Sequence, residues 1–243
     1  MLSFLYLEYF FQKRLPMVRR LAIIFLGVLP LIIIAALTSC ERAPEGSAEW
    51  YFARALQLSN QGDFQTAISN YTQAIKVEPL LAKAYVNRAA AYDSLGEYDL
   101  AIADCNKALS LDSNLPLAYL NRASAYNGKG NYENAIEDCE AAIQLDNKLA
   151  QAYINRAIAY NMEGDMGKSI ADCNKALEID PGLADGYYHR ALAYEALGNT
   201  DEAISDFTTF INLSKNDTLI ASARQEIQKL STPPPTTTGT NSR

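Results

Sequence analysis

Three cysteines, Cys105, Cys139 and Cys173, follow one another at intervals of 34 residues. In an oxidising compartment such thiols could pair or act as nucleophiles. Each stands at the same place in its surroundings, however, and the flanking members of the series are Tyr71 and Phe207. A place shared with aromatics faces inward, where free cysteine packs as a small hydrophobe. Equivalent places on successive packed helices lie about 8–10 Å apart, beyond the ~7 Å between Cα atoms that a disulfide can span. Three free, slow-reacting thiols are expected.

Two charged series share the interval. Arg54, Arg88, Arg122, Arg156 and Arg190 form one, and Asp104, Asp138, Asp172 and Asp206 form the other, with Asn70 in the place of the first acid. An arginine ladder could bind an anionic ligand, but an acid for nearly every arginine predicts internal ion pairs. The spacing leaves open whether each pair closes within a unit or across a junction. His189, the only histidine, has no Cys, Asp or second His at ligand spacing on the same face, so a metal site is not expected. Neither a glycine-rich phosphate loop nor a nucleophile elbow is present. The expectation is a protein with no cofactor and no catalytic activity.

The 243 residues are 49% hydrophobic and 20% charged, with net charge −7. Beyond residue 40 there are 17 basic and 27 acidic side chains, a net charge of −10. Such a surface repels phosphate, so nucleic acid is not expected as a partner.

The elements that must position these residues are amphipathic helices. Tyr119, Ala123 and Tyr126 recur at helical spacing, as do Tyr132, Ala135, Cys139 and Ala142. Gly130 separates the two runs, and Gly62, Gly96, Gly164 and Gly198 repeat it, each placed to take the left-handed conformation that ends a helix. Small residues at Ala67, Ala101, Ala135, Ser169 and Ala203 let the second helix of each pair lie close to the first. Segments such as VNRAAAYDSLGEYDLAIADCNKAL and LNRASAYNGKGNYENAIEDCEAAI align without a gap, giving five units: 48–81, 82–115, 116–149, 150–183 and 184–217.

This pattern resembles the tetratricopeptide repeat family. Tyr stands where the family commonly has Trp (Tyr51 through Tyr187), Ala replaces the first helix's Gly, and Cys takes an aromatic's place. The resemblance implies an all-α fold, a right-handed solenoid of five helical hairpins. Residues 218–230 continue an apolar face with Asp217 placed as cap, a helix that closes the last hairpin. The segment 231–243, STPPPTTTGTNSR, has no apolar pattern and is expected to be disordered.

In this family the first helices line a concave face. The fifth places of the units give an apolar stripe, Phe52, Val86, Leu120, Ile154 and Tyr188. The sixth places add Asn87, Asn121, Asn155 and His189. An Asn amide both donates and accepts, so a ladder of them can pair with a peptide backbone whatever its side chains. The row resembles the asparagine ladders of peptide-binding relatives. An extended segment with apolar side chains is the expected ligand, held by the amides with Leu120 and Ile154 supplying contact area. Phe52 and Leu56 stand where the family's carboxylate clamp begins with Lys and Asn, which disfavours an acidic tail as ligand.

The amino terminus reads as an address. Arg19 and Arg20 precede seventeen uncharged residues, Leu21 to Leu37. The ending Leu37, Thr38, Ser39, Cys40 resembles a bacterial lipobox, which implies a signal peptide over 1–39, cleavage before Cys40 and acylation of that residue. Met17 could itself start this signal, leaving 1–16 upstream of it. Residues 40–47 then form the lipidated Cys and a short tether. Together these readings predict a lipid-anchored, extracytoplasmic adaptor, bound to a membrane and to a protein or peptide partner, that scaffolds a bacterial envelope complex. A self-associating structural envelope protein and an accessory subunit of an envelope enzyme are the alternatives.

Overall fold

The computed structural model describes residues 43–232. The signal segment, Cys40 and most of the carboxyl-terminal tail lie outside the described residues. Five hairpins follow one another: α1 (Ala48–Asn60) with α2 (Phe64–Val77), α3 (Ala82–Ser94) with α4 (Tyr98–Leu111), α5 (Pro116–Gly128) with α6 (Tyr132–Leu145), α7 (Ala150–Glu163) with α8 (Met166–Ile179), and α9 (Ala184–Ala196) with α10 (Thr200–Leu213). A last helix, α11 (Asp217–Ser231), packs on α10.

Each hairpin turn is a consequence of its glycine. Gly62, Gly96, Gly130, Gly164 and Gly198 all have φ between 75° and 85°, the region where a Cβ is penalised. The small residue near the start of each second helix is fully buried, Ser169 included, so the two backbones approach closely. Cys105, Cys139 and Cys173 are fully buried and unpaired, in line with Tyr71 and Phe207. Cys105 and Cys139 pack among alanines of their own hairpin and of the neighbouring first helix, Cys139 with Ala123, Ala135 and Ala159, and Cys173 packs with Ala157 and Ala176 of its own hairpin.

The arginine and aspartate ladders close within units. Arg88, Arg122, Arg156 and Arg190 each hold the acid sixteen residues on through Nε and Nη2 at 2.6–2.8 Å. The same guanidinium groups reach back across the junction: Arg88 donates to Thr72, Arg122 to Asn106 and Arg190 to Asn174, all in the preceding second helix. One side chain therefore ties its own hairpin together and fastens it to the previous one. Tyrosine adds to the junction, since Tyr85, Tyr153 and Tyr187 donate hydroxyl bonds to the carbonyls of Pro79, Asn147 and Pro181.

At the end of the array Phe210 replaces the alanine of the other units and is fully buried with Phe207 and Ala223 under α11. Asn216, not Asp217, caps that helix: its Oδ1 accepts from Leu219 N at 3.2 Å, leaving Asp217 in the first turn. An acid there still complements the positive end of the helix.

Candidate peptide-binding groove

The curvature follows from which helices meet. Each hairpin packs on the next through its neighbours in sequence, and α3 touches α5, α5 touches α7, and α7 touches α9 as well. The second helices make no comparable contact with one another. First helices therefore crowd the inside of the bend and second helices fan out on the outside. On a helix of 3.6 residues per turn, the second, sixth, ninth and thirteenth places of each unit face this inner side. The fifth and twelfth places flank them toward the next unit: Lys83, a second place, lies 4.8 Å over the ring of Phe52, a fifth place of the unit before.

This geometry corrects the expected apolar stripe. Val86 is 6% exposed, Leu120 8% and Ile154 0%, and each belongs to the packing between hairpins. A fifth place looks at the following first helix, which covers it. Leu120 and Ile154 therefore do not supply ligand contact area. Phe52 and Tyr188 stay half-buried, Phe52 with its ring centre 5.8 Å from that of Tyr71, and Tyr188 4.9 Å from Phe210. The apolar surface that does open inward is Leu117, 52% exposed, and Met162, 61% exposed, with Ile158 half-buried in the same helix as Met162 and Leu192 half-buried in the next first helix.

The amide ladder serves more than one purpose. Asn121 Nδ2 donates to Val86 O at 3.0 Å, a bond between neighbouring first helices. Asn87 turns its amide to Lys83 O in its own helix at 2.8 Å. Asn155 is buried. His189 lies edge-on to Tyr188, and burial pushes its imidazole pKa down to about 4, so it is neutral at physiological pH.

A second polar row was not anticipated. Asn127 Nδ2 donates to Asn155 O at 2.8 Å and Asn161 Nδ2 to His189 O at 3.0 Å, each reaching the next first helix. Asp93, at the equivalent place, accepts from the Ser124 hydroxyl at 2.8 Å, while burial raises its carboxyl pKa. The signal was present in the sequence: Asp93, Asn127 and Asn161 recur at the same interval as the other series. Away from the groove, a recess of about 440 Å³ is lined by Arg190, Tyr194, Asp201, Glu202, Ser205 and Asp206. Its arginine is already held by Asp206.

Similarity to known proteins agrees with this architecture. Tetratricopeptide repeat models match residues 82–115, 116–149 and 150–183, in the frame of the second, third and fourth units, and a further model of that description matches 173–205. No curated protein matches the sequence. A tetratricopeptide repeat protein of Thermus thermophilus, TTC0263, is 19% identical with TM-score 0.66, over 74% of this chain and 99% of its own. MamA is 27% identical with TM-score 0.55, over 69% of this chain and 96% of its own. Cut9 in complex with Hcn1, from the APC/C, is 20% identical with TM-score 0.72, over 77% of this chain and 37% of its own. With the repeat recognised across residues 82–205, the same hairpin extending over 48–217, and its turn glycines and small residues all in place, the chain belongs to the tetratricopeptide repeat family, whose members are generally scaffolds for protein–protein interaction.

Proposed function

We propose that this protein is a lipid-anchored extracytoplasmic adaptor whose concave face holds an extended segment of a partner and so gathers an envelope complex at a membrane surface. The observation that carries the binding half is the inner face itself. Leu117 and Met162 stand open to solvent on a scaffold whose neighbouring side chains are locked by junction bonds. A backbone already fixed by such bonds needs no ordering when a ligand covers these side chains, so the entropy lost on this side is confined to their own rotamers. Catalysis forms no part of this reading.

The anchoring half rests on the sequence. Leu37, Thr38, Ser39 and Cys40 follow an uncharged run of signal length, and seven residues separate Cys40 from the start of α1. At ~3.5 Å per residue that stretch reaches about 25 Å, so the first hairpin stays near the bilayer. Two or three acyl chains give lasting attachment where one does not.

Two measurements test the halves separately. Cys40→Ser should accumulate as unprocessed precursor; normal processing and unchanged detergent partitioning would refute lipidation. Crosslinking in the envelope followed by mass spectrometry should recover a partner with the native protein and lose at least nine-tenths of it with Met162→Arg. Recovery unchanged by that variant would place binding away from the groove.

A further inference from the structure

The inner face is not uniform along the array. In the third and fourth units (116–149 and 150–183) none of the residues at the second, fifth, sixth, ninth, twelfth and thirteenth places carries a charge. Among those exposed or half-buried there are Leu117, Ser124, Gln151, Ile158 and Met162. Charges resume only at the borders, and most of them are already engaged. Lys83 lies over Phe52, the Asp93 carboxylate accepts from Ser124, and Glu195 holds Lys229 at 2.7 Å. In a chain that is 20% charged, whose outer helices carry acids freely, the centre of the groove is a neutral floor two hairpins wide.

From this we infer that the groove selects its ligand by excluding charge. The occupant is an extended protein segment with a window of uncharged residues, apolar and small polar in composition, seated on units three and four. The inference rests on the groove reading above and names the partner's chemistry. A carboxylate or ammonium brought onto the centre of this floor, away from Asp93 at its edge, loses hydration and meets no counter-ion, a cost that applies to both signs. Leu117, Ile158 and Met162 reward apolar side chains, while Gln151 offers a donor and an acceptor to backbone groups and Ser124, whose proton goes to Asp93, offers an acceptor. Two units spaced ~10 Å apart correspond to about six residues of extended chain at ~3.3 Å each. This selection differs from a clamp of basic residues, which would favour one sign of charge over the other.

The test uses the full chain in detergent and a displayed library of random dodecapeptides, with Met162→Arg as the counter-target. Met162 is exposed, so that variant should melt with the native protein, and circular dichroism checks it. Peptides enriched on the native protein should lack charged residues over a contiguous window of about six. They should also fail to enrich on Met162→Arg. Replacing the central residue of the tightest peptide by Lys, or by Glu, should weaken binding at least tenfold in each case, about 1.4 kcal/mol. Selected peptides that carry charge inside the window, or a tightest peptide that tolerates one sign, would overturn charge exclusion while leaving the groove as the site, provided Met162→Arg still abolishes them. Enrichment that survives Met162→Arg, or no enrichment on the native protein, would overturn the groove reading itself.

Discussion

Replacing Arg122 by Ala removes more than one interaction at once. Its Nε and Nη2 bind the two oxygens of Asp138 at 2.7 and 2.6 Å, its Nη1 donates to Asn106 in the preceding hairpin, and the guanidinium lies 5.6 Å over the ring of Tyr119. The side chains of Arg122 and Asp138 are 19% and 8% exposed, so the pair is largely withdrawn from water. The carboxylate left behind would be buried without its partner, and breaking a buried pair from one side costs about 3–5 kcal/mol. Residual exposure of the arginine admits some water, which places the expected loss near 3 kcal/mol, or about 6–12 °C in melting temperature for a domain of this size. Urea unfolding followed by circular dichroism measures it, with an unchanged slope as the condition for reading the midpoint as stability. Arg54→Ala is the internal control. Asn70 stands where its acid would be and the residue is exposed on α1, so the loss there should stay below about 0.5 kcal/mol. A loss below 1 kcal/mol for Arg122→Ala, or equal losses for the two variants, would refute the view that the ladder is a buried fastening between hairpins.

Further outcomes follow from particular residues. Cys105, Cys139 and Cys173 are fully buried, and burial pushes their thiol pKa values up, to about 12 for Cys105 and Cys173. A thiol reagent should label them only at the rate of unfolding, and prompt labelling of the folded protein would contradict their placement. His189 has a folded-state pKa of about 4, below the ordinary value near 6.5. The stability tied to its neutral form is present above pH 6.5 and is lost as pH falls toward 4, about 2 kcal/mol of it between pH 7 and 5; His189→Asn should remove that dependence, and an unchanged pH profile would show the ring to be solvated. Gly130 has φ of 75°, so Gly130→Ala should cost about 1 kcal/mol, and a neutral result would mean that the turn relaxes.

Much of this molecule is local in origin and is therefore legible in the amino-acid chain alone. A helical period that repeats every 34 residues, a glycine able to take positive φ at each turn, and a small residue where two helices must touch are properties of single segments, and repetition multiplies their signal fivefold. The inward place of the cysteines followed from the same logic, because Tyr71 and Phe207 marked it. What only the tertiary structure decided is everything that depends on a neighbour. Arg122 could have met an acid within its unit or across the junction, and only the packing of α5 on α6 and α4 shows that it holds Asp138 in one and Asn106 in the other. The fifth places read as an open stripe because a helical wheel has an inside and an outside, but not a next unit. Once α7 lies against α5, Leu120 is covered, and Leu117, three residues earlier, is the side chain left facing the groove. A rotation of 60° about the helix axis separates a buried contact from a binding surface, and that angle is set by how one hairpin stacks on another, which no single repeat encodes.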